Sequence, residues 1–268
     1  MTDLLGLQDQ PALVMGGGFG IGRATSLLLA QAGARVAVAD VIPERAKAVA
    51  GEVNGHPIVG DVTSEESARA MVDEAHEVLG GLTRVANIVG GAHFRDFETT
   101  DLDHWESEFR GNLLHHVFVC HAAGRHMRAE AGGAIAMVAS VSGIYGARHH
   151  AAYGAAKAGV NSLARSLADE WGPYGIRLNT VAPDVIATPR LVNSHPEGPE
   201  RALAAMDAFA AEDGVPIRRF GRPEEIAGPL VFLLSNLSAF MTGQCLVVDG
   251  GTMVHFPHHG VGDPQRRS

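Results

Sequence analysis

Short apolar runs alternate with longer stretches of helical period along nearly the whole chain. Residues 12–15 (ALVM) form the first run, and the glycine-rich stretch GGGFGIG follows. An apolar helical pattern then covers 23–32, and Gly33 closes it as a C-cap would. Residues 35–39 (RVAVA) predict a second strand that runs into Asp40. Next come a helix over 43–53, a short strand over 56–60 running into Asp61-Val62-Thr63, and a helix over 65–79 capped by Ser64. Further strands are predicted at 85–89, 135–139, 177–181 and 245–248. Between them lie a helical stretch starting over 101–105, a long amphipathic helix that contains Asn112 and continues to about 129, and a helix over 153–171 stopped by Gly172-Pro173. Strand alternating with helix throughout predicts an α/β fold: one doubly wound, parallel, seven-stranded sheet with helices on both faces, in a single domain over 1–268. Residues 187–216 read as one long irregular insertion with a helical patch (ALAAMDAFAAE), and the tail 252–268 lacks a period.

Composition narrows the class. An apolar fraction of 46% with 19% charged residues excludes a disordered chain, and no apolar run is long enough to span a membrane. The start, MTDLLGLQDQ, lacks a basic segment before an apolar one, so no secretory signal is expected. A net charge of -9 argues against nucleic acid and anionic membranes as partners. Cys120 and Cys245 sit far apart in apolar segments, which fits free thiols in a reducing cytoplasm. His115, His116, Cys120 and His121 crowd one predicted helix, but their spacing completes no ligand set, so no metal is expected.

Two stretches carry chemistry. The first is strand, glycine turn, helix, strand and acid: a dinucleotide-binding βαβ unit, here with Gly16, Gly20 and Gly22 spaced G-x-x-x-G-x-G. Glycines permit the turn and let backbone N–H groups approach a pyrophosphate at the helix N-terminus. A carboxylate at Asp40 can accept hydrogen bonds from the ribose hydroxyls of NAD and repels the 2′-phosphate of NADP. No basic residue directly follows it, and Phe19 in the turn is not basic. The second stretch is SVSGIYGARHHAAYGAAK, from Ser140 to Lys157. On a helix, Tyr153 and Lys157 share a face, and a nearby cation favours the phenolate. Such a tyrosine can act as a general acid or base, with the Ser140 hydroxyl holding a carbonyl or alcohol oxygen.

Taken together with Asp61-Val62, Asn87-x-x-Gly90, Asn112, Asn179, Pro183, Thr188 and Asp249-Gly250-Gly251, these motifs resemble the short-chain dehydrogenase/reductase family, of the Tyr-x-x-x-Lys type, from about residue 11 to 251. The resemblance implies a Rossmann-like fold and a catalytic set of Asn112, Ser140, Tyr153 and Lys157. Tyr153 would exchange the proton with the substrate oxygen, Ser140 would hydrogen-bond that oxygen, Lys157 would lower the tyrosine pKa and hold the nicotinamide ribose, and Asn112 would hold a relay water. It also implies NAD contacts from Gly16, Phe19, Gly20, Ile21, Gly22, Asp40, Asp61, Val62, Asn87, Gly90, Tyr153, Lys157, Pro183, Val185, Ile186 and Thr188. A homotetramer is a further implication. Three positions depart from the family pattern: Met15 replaces a threonine, Ile88-Val89 brings branched side chains beneath the adenosine, and Asp184 replaces a glycine near the mouth of the site.

The loops at the carboxyl ends of the strands set specificity in such sheets. Their inventory is apolar and aromatic with several histidines, which points to a mostly apolar or cyclic secondary alcohol or ketone. Candidate substrate contacts are His93, Ser142, Tyr145, His150 and Asp184. The leading reading is an NAD-dependent alcohol dehydrogenase or ketoreductase. The alternatives are an NADPH-dependent 3-oxoacyl-thioester reductase, against which Asp40 counts, and a non-catalytic NAD-binding protein, against which the complete catalytic set counts.

Overall fold

The computed structural model describes residues 3–130, 132–193 and 196–254. Its seven strands are β1 (Pro11–Met15), β2 (Arg35–Asp40), β3 (His56–Val59), β4 (Arg84–Asn87), β5 (Gly133–Val138), β6 (Ile176–Pro183) and β7 (Cys245–Val248). They form one sheet in the order β3-β2-β1-β4-β5-β6-β7, and every pairing is parallel. The order reverses between β1 and β4, where Met15 lies beside Asn87 at the carboxyl ends of the strands. In sheets of this type that switch point opens the crevice used for ligands.

The strands are buried on both faces, which is why they read as continuous apolar runs rather than alternating ones. Successive side chains still go to opposite sides. Leu13 and Met15 of β1 enter one core cluster, and Ala12 and Val14 enter the other. The first cluster packs against α3 (Glu65–Leu79), α5 (His115–Ala129) and α6 (Ala151–Trp171), through residues such as Met71, Met127 and Val160. The second packs against α1 (Gly20–Gln31), α2 (Pro43–Glu52) and a helix over Pro223–Leu234, through Leu29, Val49 and Leu230.

Three local expectations need correction. First, the helix over Pro223–Leu234 falls in a stretch for which the pattern predicts no element, because Gly228 and Pro229 interrupt it. Burial of Ile226, Leu230, Leu233 and Leu234 outweighs the lost N–H. Second, the helix predicted to run unbroken through Asn112 is divided. It comprises α4 (Leu102–Phe109), a π-helical turn (Arg110–Leu114) and then α5. Third, the insertion over 187–216 is largely helical, with α7 (Pro189–Val192) and α8 (Pro199–Asp213). The helix over Pro223–Leu234 is therefore α9. The helix expected to stop at Gly172-Pro173 does end at Trp171 with Gly172 as its C-cap, and a 3-10 turn over Gly172–Tyr174 then leads to Gly175, which adopts a left-handed φ of 72°. In the tail, Thr252–Val254 forms a 3-10 turn, and 255–268 lie outside the described residues. Among the described residues no helix is long and apolar enough to cross a membrane.

Two glycines separate local strain from free space. A methyl on Gly22 would come within 1.8 Å of the Gly16 carbonyl oxygen, whereas one on Gly51, in α2, would meet nothing within 4 Å. Gly22→Ala should therefore lower stability to urea by more than about 1 kcal/mol. Gly51→Ala should raise it by about 0.4–1 kcal/mol. Equal effects in urea melts would contradict this placement.

Candidate active site

The dinucleotide side is built where β1 hands over to α1. Gly16 takes a φ of 78°, and the chain folds back so closely that Gly22 passes against the Gly16 carbonyl. Gly16 N and Gly17 N both donate to the Ala39 carbonyl, at 2.8 and 2.9 Å, and the Ser26 hydroxyl donates to the Gly17 carbonyl at 3.2 Å. These bonds brace the turn, while Met15, the residue that departs from the family pattern, is fully buried in the core. The N-cap of α1 is Phe19, which makes no side-chain cap, and the first turn carries no acid. Free N–H groups at a helix N-terminus suit an anion such as pyrophosphate.

Asp40 ends β2 with its carboxylate directed under this turn. Oδ2 accepts from Gly18 N at 3.2 Å and Oδ1 from Ile42 N at 3.0 Å. A methyl added to Gly18 would meet Asp40 Oδ2 at 2.8 Å, so the acid lies against the turn rather than in solvent. Arg45 of α2 sits beside it, with its guanidinium 4.3 Å from the Phe19 ring centre. This basic neighbour is five residues beyond Asp40 in sequence and is brought in by the first turn of α2.

The remaining positions expected around a dinucleotide divide into two groups. Thr188 approaches Gly20, 3.7 Å from where a methyl on that glycine would stand, and Val185 is exposed beside it. Ile21 packs partly against the second core cluster, Val62 enters the first, and Ile186 and Pro183 are buried. Asp61 closes its own turn by accepting from Thr63 N and Thr63 Oγ1. Asn87 is fully buried, with its amide 3.2 Å from His115 Nδ1. The branched Ile88 and Val89 pack into the two core clusters.

The proton-handling side comes from β5, the π-helical turn and α6. Ser140 follows β5, is buried, and accepts from Ser142 N at 3.2 Å. Tyr153, on the first turn of α6, stands near enough to Ser140 for that hydroxyl to act on its phenol. Lys157 lies one turn further on, 1% exposed, with Nζ 5.8 Å from the Tyr153 ring centre. Its ammonium donates to the Val138 carbonyl at 2.9 Å, the last residue of β5. Asn112 occupies the middle of the π-helical turn, a distortion that recurs at functional sites. Its Oδ1 accepts from Gly91 N and its Nδ2 donates to the Gly91 carbonyl, both at 3.0 Å. The four side chains expected to act together are thus brought together.

Electrostatics follow from burial. Desolvation pushes the Lys157 ammonium down to about 7, and the Glu108 carboxylate raises it. Burial holds the Tyr153 phenol above its ordinary value, the Ser140 hydrogen bond lowers it, and Glu108 raises it further. The expected lowering of the tyrosine pKa does not emerge here, because desolvation of the phenolate is the largest effect. Burial also takes His115 down to about 3, with the Lys157 charge adding to it, and takes His116 well below its ordinary value. Cys120 is buried, and its thiol contacts Met137 Sδ at 3.7 Å, whereas His121 on the same helix is exposed. Among the described residues no three metal-ligating side chains converge.

On the substrate side, His150 lies 5.5 Å ring to ring from Tyr153 and 4.5 Å from Phe94, so the three make one aromatic wall. His150 Nδ1 is 3.4 Å from Ser142 Oγ. Tyr145 is half-exposed nearby in sequence. Asp184 lines a cavity of about 110 Å³ together with Ile186, Ile217 and Val248. His93 is directed at Glu108, with Nδ1 2.5 Å from Oε1. Glu108 is absent from the expected set. Its only signal in the sequence is a position four residues before Asn112, which places both on one side of the helical path.

Comparison with known proteins agrees with this architecture. A sequence model of a family described as "Enoyl-(Acyl carrier protein) reductase" matches residues 17–253. The chain is 34% identical to D-threitol dehydrogenase of Mycolicibacterium smegmatis, over 91% of this chain and 93% of the relative. It is 37% identical to cis-4-hydroxycyclohexanecarboxylate dehydrogenase of Sinomonas cyclohexanicum, over 91% and 96% of the two chains. A solved structure of 7α-hydroxysteroid dehydrogenase, in complex with NADH and 7-oxo glycochenodeoxycholic acid, superposes with a TM-score of 0.84 at 29% identity. That match covers 94% of this chain and 97% of the other. With its parallel Rossmann-like sheet and these relatives, the chain is an oxidoreductase that belongs to the short-chain dehydrogenase/reductase family.

Proposed function

We propose that this protein is an NAD-dependent oxidoreductase that interconverts a secondary alcohol and a ketone. The observation that carries the reading is the convergence of Tyr153, Ser140, Lys157 and Asn112 beside the glycine turn that Asp40 underpins. The turn is a cradle in which a side chain at Gly22 would collide, so the residues present fit a dinucleotide. The turn and the start of α1 would hold the phosphates, Asp40 the adenosine ribose, Thr188 and Lys157 the nicotinamide end. When bound, NAD supplies a hydride acceptor, and in reduced form a hydride donor.

The chain's own side chains manage the proton. In oxidation Tyr153 takes the hydroxyl proton of the alcohol, and in reduction it gives a proton to the carbonyl oxygen. Ser140 hydrogen-bonds the same oxygen and so fixes it over Tyr153. Lys157 and a water held by Asn112 carry the proton onward. The wall of Phe94, His150 and Tyr153 supports a mostly apolar or cyclic substrate. The named substrates of two of the relatives, a hydroxycyclohexane carboxylate and a steroid, are of that kind.

A second reading rests on Arg45. Its guanidinium over the Phe19 ring offers a partner for a 2′-phosphate, and on that basis NADPH would serve a 3-oxoacyl-thioester reductase. Asp40 favours NAD, since its carboxylate accepts from the turn backbone at Gly18, whereas the guanidinium stacks on the Phe19 ring. We further propose a homotetramer in a reducing cytoplasm. Val117 on α5, and Ala151, Ala155 and Ala158 on α6, lie on faces that this chain leaves uncovered.

Parallel titrations with NADH and NADPH test the cofactor assignment. NADH should bind more tightly, and Asp40→Ala should narrow the gap. A wild-type preference for NADPH would transfer the case to Arg45. Tyr153→Phe should cut turnover of cyclic secondary alcohols at least about 100-fold while NADH still binds. Full turnover by that variant would remove Tyr153 from the chemistry.

The raised phenol pKa sets the sign of the pH dependence. Alcohol oxidation needs the deprotonated form, so its kcat should climb with pH above neutrality. Ketone reduction needs the protonated form and should hold its rate until alkaline pH. Profiles measured in both directions check this, and an oxidation rate that falls from pH 7 to 9 contradicts it. Light scattering should return four times the 28.1 kDa chain mass, and a monomer would overturn the tetramer.

A further inference from the structure

Glu108 is a carboxylic acid in α4 with 1% exposure, a burial that such a side chain reaches only when it is paired. Both of its oxygens are engaged. Oε2 accepts from Asn112 Nδ2 at 3.1 Å, and Oε1 lies 2.5 Å from His93 Nδ1. His93, on the loop after β4, is largely exposed and stands between Glu108 and solvent. None of the roles assigned above uses this acid.

We propose that Glu108 is a positioning residue: its carboxylate fixes the orientation of the Asn112 carboxamide and supplies the counter-charge that keeps the Lys157 ammonium charged. The first half follows from hydrogen-bond chemistry. A carboxylate only accepts, so only the NH₂ of Asn112 can face it, and Oδ1 must turn the other way. The structure shows that orientation, with Oδ1 toward Gly91 N. Oδ1 and the lysine border one small space: a methyl built on Gly90 would stand 2.9 Å from Asn112 Oδ1 and equally 2.9 Å from Lys157 Nζ. The two atoms flank one point, and the flip of one amide decides whether an acceptor or a donor faces the ammonium.

The second half concerns charge. Among the described residues Lys157 has a single protein hydrogen bond, to the Val138 carbonyl. The ionisable groups around it come from three sides. His115 and His116 of α5 are held neutral by burial, Tyr153 belongs to its own helix, and Glu108 comes from α4. Of these, the Glu108 carboxylate is the one that favours the charged lysine. Within a poorly hydrated interior one such charge has a long reach. Its influence extends to Tyr153 and His150, which it also moves upward.

The catalytic meaning of this rests on the oxidoreductase reading, but its test does not. The chain contains two lysines, Lys47 and Lys157, the first exposed on α2 and the second buried. Uniform ¹³Cε-lysine labelling of the full-length protein therefore gives two resonances, and Lys157→Met assigns them. Each can be titrated by NMR without substrate or cofactor. Glu108→Gln keeps the shape and removes the charge. Glu108→Met suits the buried position should the carboxamide not be tolerated there. Both should lower the Lys157 midpoint by about one pH unit or more, with Lys47 unmoved. An unchanged Lys157 midpoint in the folded variants overturns the proposal and leaves Glu108 as a filler of the interior. A wild-type protein that turns over no alcohol or ketone would count against the oxidoreductase reading alone, since the lysine titration would still give its own answer.

Discussion

An ammonium group without solvent contact is the costliest feature of this site, and the surroundings are arranged around it. Lys157 gives up hydration at its whole surface. A buried charge is tolerated only with close acceptors or an opposite charge. Its acceptor is the carbonyl of Val138, available because β5 ends there and the sheet no longer uses that oxygen. Its position is set by α6, whose first turn also presents Tyr153 to Ser140. The end of a strand, the start of a helix and one buried side chain are therefore a single unit. Loss of the β5–α6 geometry would remove the lysine's partner and the tyrosine's together.

The sheet order makes that unit part of a larger site. The dinucleotide turn belongs to β1 and β2, whereas Ser140, Tyr153 and Lys157 belong to β5 and α6. They meet because β1 pairs with β4 and β4 with β5, with Met15 beside Asn87 and Asn87 beside Met137 in register. A chain that simply added each strand beside the last would set the two halves far apart. The reversal between β1 and β4 also leaves room above Asn87, and the π-helical turn reaches into the same region to deliver Asn112.

What was legible in the sequence had a local signature. A strand, a tight glycine turn and an acid after the next strand can be read from neighbouring residues, as can a tyrosine and a lysine one helical turn apart. The illegible parts depended on depth and on partners distant in sequence. α9 was hidden because Gly228 and Pro229 count as breakers locally, and only packing on the second core cluster overrides them. Glu108 sits in the stretch ESEF, which reads as a solvated helix face, until the π-helical turn and His93 close over it. Arg45 comes within reach of the cofactor turn only through the path of α2. The direction of the Tyr153 shift was misread for the same reason, since spacing reveals a neighbouring charge but not how much water is lost.

Desolvation moves the two key groups in opposite directions and toward one outcome. It raises the phenol and lowers the ammonium, so both drift toward their neutral forms. Glu108 offsets half of this: it favours the charged lysine but also the protonated tyrosine. At neutral pH the balance leaves the proton on Tyr153, which is the form that donates to a ketone. On the proposed NAD reading Asp40, by contrast, shapes the other half of the site for a cofactor that serves oxidation when it is supplied oxidised. On that reading the two halves favour opposite directions, and the occupancy of one proton on Tyr153 selects between them. A site built this way need not be committed to one direction by its fold; pH and the redox state of the cofactor pool can each tip it, through residues that do not touch one another.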